Sequence, residues 1–213
     1  MKALVAGFDP FGGEAINPAF EAIKKMENQI GPCEVVKVEM PTVFRRSLEV
    51  LEVAITNEKP DIVICVGQAG GRFELSLERV GINLDEARIP DNDGQKPLGT
   101  PIMKDGENAY FSTLPNKAIL KEMTENHVPA VLSYTAGTYV CNHVLYGLMY
   151  MINKKYPDIR GGFIHVPYLP QQVLFKKNTP FMSLEMITKG LELAVKATVE
   201  NDDDIIYPAG ETH

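Results

Sequence analysis

The sequence predicts an α/β fold: a three-layer α/β/α sandwich around a twisted, mainly parallel sheet, mixed at one side. Three observations predict it. Short apolar runs alternate with amphipathic segments along the whole chain, the order expected of a sheet covered by helices on both faces. The run over 61–66 (DIVICV) is apolar without polar alternation, as a strand buried on both faces must be. Hydrophobic residues make up 45% of the 213 positions and charged residues 23%, enough apolar material for a real core.

In chain order, residues 2–7 (KALVAG) read as the first strand. Asn17-Pro18 follows as a helix start, asparagine as cap and proline at the first helical position, with Phe20, Ile23 and Met26 at helical spacing behind it. A second strand covers 34–40. Thr42 reads as the cap of a second helix that carries Leu48, Leu51 and Ile55 on one face and ends before Pro60. The third strand is 61–66. Residues 73–84 alternate like a strand or hairpin, but the apolar parity changes from Leu75 and Leu77 to Val80, Ile82 and Leu84, which predicts a bulge at Glu78-Arg79. Residues 86–106, rich in Pro, Gly and Asp, form a long ordered loop. A short helix over 115–126, a strand over 130–135, a helix over 138–156 with Val140, Val144, Leu148 and Met151 near one stripe, and a strand over 162–166 complete the core. Thr179 or Ser183 opens the last helix, which runs towards Asn201, and 202–213 read as a frayed tail. No repeat, linker or boundary interrupts the pattern, so residues 1–213 read as a single domain.

Composition excludes several classes of function. The formal net charge is −7 and the basic residues are scattered, so no nucleic-acid groove is expected. No apolar run reaches the ~18 residues that span a bilayer, and Met1 to Ala6 is too short for a secretory core. Three widely spaced cysteines do not form a disulfide framework. A cytoplasmic location follows as the expectation. Neither Cys-x-x-Cys nor His-x-x-x-His occurs, so no zinc site is expected.

The cysteines differ in setting. Cys33 sits in a turn before a strand, and Cys65 lies inside DIVICV as a core thiol. Cys141 follows a strand and the Ala136-Gly137 turn and enters a helix at its first turn. There, unpaired N–H groups favour a thiolate and can hold a developing oxyanion. Simple packing of a helix start is the alternative. A cysteine nucleophile needs a base within hydrogen-bond reach. Among the four histidines, His143 lies two residues from Cys141, which puts it on another helix face. His127 falls in a loop and His213 is the last residue. His165 ends an apolar strand, where open α/β sheets gather their chemistry, although a satisfied core histidine also fits. A carboxylate must orient the imidazole, and spacing does not choose it from 28 acids. Glu78, at the parity change in an apolar strand, is a candidate; an exposed strand residue paired with Arg79 is the other reading.

Taken together, these segments resemble the pyroglutamyl peptidase I (pyrrolidone-carboxylate peptidase) family of cysteine peptidases. The stretch 133–142 (SYTAGTYVCN) resembles its nucleophile signature, 67–83 (GQAGGRFELSLERVGIN) its glutamate signature and 163–170 (FIHVPYLP) its histidine segment. The opening 7–13 (GFDPFGG) with Asn17-Pro18, and 87–92 (ARIPDN), are similar to two further blocks, so all but the tail is covered. The resemblance implies a triad of Cys141, His165 and Glu78. It implies that Phe8, Phe11 and Tyr139 flank the substrate's flat lactam ring, near Ile89, Val140 and the Gln68 backbone, and that Arg88 helps to order the oxyanion region. Tyr139 stands where many members carry Phe, so its hydroxyl needs a partner. The implied activity is hydrolysis of the bond after an N-terminal pyroglutamyl residue by homo-oligomeric α/β/α subunits, dimers or tetramers, that need no cofactor. Two competing readings are a nucleotide- or phosphate-binding module, built on the glycines after the first and third strands, and a non-catalytic binding protein whose Cys141 only packs. Neither glycine cluster is G-x-G-x-x-G, and no P-loop lysine is present.

Overall fold

A computed structural model describes residues 1–210, and each expected strand is present within about two residues of its expected start, with short strands added at 29–30, 85–86, 98–100 and 109–111. Strand β1 (Lys2–Phe8) leads to α1 (Pro18–Lys25), whose cap is Asn17: its side chain accepts from Ala19 N, with proline at the next position. Then come β2 (Gln29–Ile30), β3 (Cys33–Met40), α2 (Arg46–Glu58) and β4 (Ile62–Gln68). The middle of the chain supplies β5 (Leu75–Glu78), β6 (Val80–Ile82), β7 (Asp85–Glu86), β8 (Leu98–Thr100) and β9 (Ala109–Phe111). It closes with α3 (Asn116–Glu125), β10 (Ala130–Ser133), α4 (Val140–Lys154), β11 (Arg160–Val166) and α5 (Leu184–Glu200).

Seven strands form one sheet in the order β10-β5-β11-β4-β1-β3-β2. Strands β11, β4, β1 and β3 run parallel, β5 and β10 run against them, and β2 is a short antiparallel edge. The sheet is therefore mixed, as expected. Alternation along each strand sorts the core into two layers. Val5, Ile64, Leu77 and Ile164 join Ile23, Ile119, Leu191 and Val195 on the α1, α3 and α5 side. Leu4, Val63, Cys65 and Phe163 join Leu51, Ile55, Val144 and Leu148 on the α2 and α4 side.

Three expectations change. Thr42 does not cap α2. Its N–H donates to Asp9 Oδ1 at 2.6 Å and its hydroxyl to Asp9 O at 3.1 Å, so a distant loop has claimed the side chain. The helix starts four residues later, behind Arg45 at φ +63°. No bulge keeps 75–82 in one strand: the chain leaves the sheet at Arg79, and β6 pairs with β9 instead. The tail is docked as far as it is described. Asp204 accepts from the N–H groups of Lys117 and Ala118 at 2.9 and 3.1 Å, capping α3, and pairs with Arg79. Residues 211–213, including His213, lie outside the described residues. Among those described, no helix is long and apolar enough to cross a membrane.

Candidate active site

The strand parity that sends Leu75 and Leu77 into one layer sends Ser76 and Glu78 to the opposite face, beneath α4. Antiparallel pairing of β5 with β11 sets Phe163 opposite Glu78 and His165 opposite Ser76, so Glu78 and His165 are diagonal neighbours on that face. On its other side β11 pairs in parallel with β4, and His165 stands beside Gly67. Gly67 has no side chain, and the sulfur of Cys141 takes that room. A Cβ on Gly67 would lie 2.8 Å from Cys141 Sγ and 2.8 Å from Phe163 Cζ. Glycine is required here for close approach. Three strands and one helix mouth thus bring the expected thiol, imidazole and carboxylate onto one patch of sheet.

His165 Nδ1 lies 2.7 Å from Glu78 Oε1, and both side chains are buried. With Nδ1 donating to the carboxylate, Nε2 is left as the acceptor. Glu78 is not paired with Arg79, whose partner is Asp204. It is fully buried, and its cation is Arg72, whose Nη1 donates to the same Oε1 at 2.6 Å. Arg72 also donates to Thr135 O at 3.0 Å and Ser133 Oγ at 3.4 Å. Burial pushes the Glu78 carboxyl up, but the hydrogen bond and charge of His165 and the charge of Arg72 together hold it below the usual carboxylate range. Burial, reinforced by the Glu78 charge and opposed by Arg72, pushes the Cys141 thiol up to about 12.

Cys141 is the second residue of α4. The helix has no side-chain cap and no acidic residue in its first turn, so the N–H groups of its mouth remain free to face an anion. Gly137 at φ +76° makes the turn from β10. Thr138 stitches that turn to the long loop, its hydroxyl donating to Glu86 O at 2.8 Å while its carbonyl accepts from Glu86 N at 2.9 Å. Asn142 fixes the next turn: its amide accepts from Ile82 N and donates to Ile82 O and Leu84 O at 2.9–3.0 Å. His143 is structural, as its position on another face implies. Its Nε2 accepts from Arg45 N at 2.9 Å, which places its proton on Nδ1, against Asp85. Cys33 and Cys65 are both buried.

The residues expected around the ring divide into three groups. Phe11 and Phe44 pack against Tyr139 with centroids at 6.2 and 5.4 Å, and half-exposed Ile89 lies on the same long loop as Pro90. The Tyr139 hydroxyl has the partner it needs, donating to Pro90 O at 3.0 Å. Burial, with Asp91 and Cys141 adding, pushes that phenol up to about 12. Phe8 and Val140 are buried beneath this wall; Phe8 packs on Phe163, 6.2 Å away, as support and not as surface. The Gln68 side chain is turned away to accept from Gln172 Nε2 at 2.8 Å, which leaves only its backbone to face the site. Arg88 is exposed and makes no hydrogen bond or ion pair among the described residues, so the charge beside the pair comes from Arg72. Arg72 was visible only as a lone cation in a glycine-rich loop after a buried strand. Among the described residues no three His, Cys, Asp or Glu side chains cluster as metal ligands.

A thiol at an uncapped helix mouth, over the register neighbour of an imidazole held by a buried carboxylate though not hydrogen-bonded to it among the described residues, has the parts of a cysteine hydrolase. Comparison narrows the class. The family model for pyroglutamyl peptidase matches residues 1–201. The pyrrolidone-carboxylate peptidase of Clostridium botulinum is 61% identical over 211 residues, 99% of each chain, and that of Enterococcus faecalis is 55% identical over 213 residues, all of each chain. The crystal structure of pyroglutamyl peptidase I from Bacillus amyloliquefaciens superposes with a TM-score of 0.94 at 52% identity, covering 97% of this chain and 98% of its own. The chain belongs to the pyroglutamyl peptidase family.

Proposed function

We propose that this chain is a cysteine peptidase that cleaves the bond after an N-terminal pyroglutamyl residue and releases free pyroglutamate, with Cys141 as nucleophile, His165 as base and Glu78 as its orienter. The observation that carries the reading is the 2.7 Å contact of His165 Nδ1 with Glu78 Oε1, on the patch where Cys141 Sγ lies over Gly67. His165 Nε2 takes the thiol proton as Sγ attacks the pyroglutamyl carbonyl. The charge that develops on the carbonyl oxygen is held by N–H groups at the mouth of α4. The imidazolium, stabilised by Glu78, then gives its proton to the leaving amine as the C–N bond breaks. Water, deprotonated by the same imidazole, hydrolyses the thioester and frees pyroglutamate. Burial, which raises the Cys141 thiol, favours transfer of its proton in step with attack.

Pyroglutamate has no free amine and a flat ring, so an aromatic wall of Phe11 and Tyr139 beside Ile89 suits it by stacking, with Phe8 and Val140 beneath and the Gln68 backbone offering polar contacts. Pairing both lactam polar groups would reject analogues that lack them by large factors. Arg88, from the long loop, would approach the oxyanion region once substrate is bound. Residues 1–213 are read as one catalytic domain, cytoplasmic, and assembled as a homo-oligomer, a dimer or tetramer. The test is hydrolysis of a pyroglutamyl arylamide beside the prolyl and glutamyl arylamides. The expected result is release of pyroglutamate from the first with at least about a hundredfold preference over the others. Equal rates on all three, or no hydrolysis, would refute the reading.

A further inference from the structure

We propose that Arg72 is a positioning residue for this site: its guanidinium fixes the Glu78 carboxylate and supplies the counter-charge that leaves His165 a neutral base. The inference rests on the triad reading of Cys141, His165 and Glu78.

Both donors converge on one oxygen. Glu78 Oε1 receives Arg72 Nη1 at 2.6 Å and meets His165 Nδ1 at 2.7 Å, while Oε2 is buried without a hydrogen-bond partner among the described residues. Arg72 is itself anchored, through Nη2 to Thr135 O and through Nη1 to Ser133 Oγ, across the end of β10. A buried carboxylate with one oxygen bare would rotate or draw a proton; the guanidinium prevents both. The ionisable groups around the imidazole are Glu78 from β5, Arg72 from the loop after β4, Cys141 from the mouth of α4 and Cys65 from β4. Arg72 and Glu78 are paired at 2.6 Å and sum to zero, so a protonated His165 would add a net positive charge to a buried site. Without Arg72, the carboxylate would be neutralised by an imidazolium instead, and the base would be lost at rest.

Arg72→Gln tests this, because glutamine keeps a polar hydrogen-bonding side chain but carries no charge. Two readouts are compared across wild type, R72Q and Arg72→Lys: the pH profile of kcat/KM, and the ¹⁵N spectrum of the His165 ring, assigned by its loss in His165→Ala. In wild type the ring is expected in the neutral Nδ1–H form at pH 7. In R72Q the acid limb is expected to move to higher pH by about one unit, the low end for a nearby charge because the Arg72 side chain is 29% exposed. The imidazolium signal should grow at pH 7, and R72K should restore both readouts. Superimposable profiles and spectra for wild type and R72Q, with only thermal stability lowered, would overturn the proposal. So would an imidazolium in wild type at pH 7, which decides the matter even if R72Q does not fold. Wild-type turnover by His165→Ala would instead refute the triad reading, a failure the ring spectra of wild type and R72Q do not share.

Discussion

Cys141→Ala is expected to lower kcat/KM on a pyroglutamyl arylamide by at least about ten-thousandfold, the size of loss seen when a covalent nucleophile is removed. Stability should change by no more than about 1 kcal/mol, since the site is the second position of a helix, where alanine is well tolerated, and the thiol makes no hydrogen bond to any described residue. The pairing of a large kinetic loss with an unchanged fold separates a nucleophile from a thiol that only packs. Measuring kcat/KM and the urea midpoint on the same preparation checks both halves. Cys141→Ser should be nearly as inactive, because the imidazole would then have to deprotonate a far weaker acid.

His165→Ala is expected to cost about ten-thousandfold in kcat, because it removes the base for attack and the acid for the leaving amine together. Unlike the cysteine variant it should also destabilise the fold, by about 1–3 kcal/mol. Glu78 is fully buried and would lose one of its two partners, leaving Arg72 to hold it alone. Added imidazole should restore part of the rate by occupying the gap between Glu78 and Cys141, and should leave Cys141→Ala unaffected. Activity near wild type in His165→Ala would move the base to another residue.

Strands and caps that depend on local chemistry were legible before any coordinates. The run after Asp61 is β4 because a strand covered on both faces buries five consecutive apolar residues readily, and Asn17-Pro18 opens α1 because both residues serve the first turn. Ser183, one of two candidates for the last cap, accepts from Met186 N. What was not legible is set by distant partners. Thr42 looks like a cap but is held by Asp9 and Asp91's loop, through Asn92 N to Thr42 O. The parity change near Glu78 was visible, yet a bulge and a strand leaving its sheet produce the same pattern; only pairing with β9 decides.

The site shows the same division. Cys141 and His165 were suggested by their places at a helix mouth and a strand end, both local features. Glu78 was not separable from 27 other acids by spacing, because its partner lies 87 residues away on β11. Its choice rested on resemblance. Arg72 is not legible from sequence, since a loop arginine carries no periodic signal and its three contacts are to β5 and the β10 end. Asn142 reads as a polar residue beside the nucleophile and turns out to clamp β6 to α4.

The most direct measurement is to quench the purified protein with acid during turnover of a pyroglutamyl ester, whose acylation outruns hydrolysis, and to map the adduct by peptide mass spectrometry. A sulfur nucleophile lying on the sheet beside His165 predicts one pyroglutamyl group per chain, as a thioester on the peptide that contains Cys141. Cys141→Ala should show none. An adduct on any other side chain, or full turnover by Cys141→Ala, would contradict it.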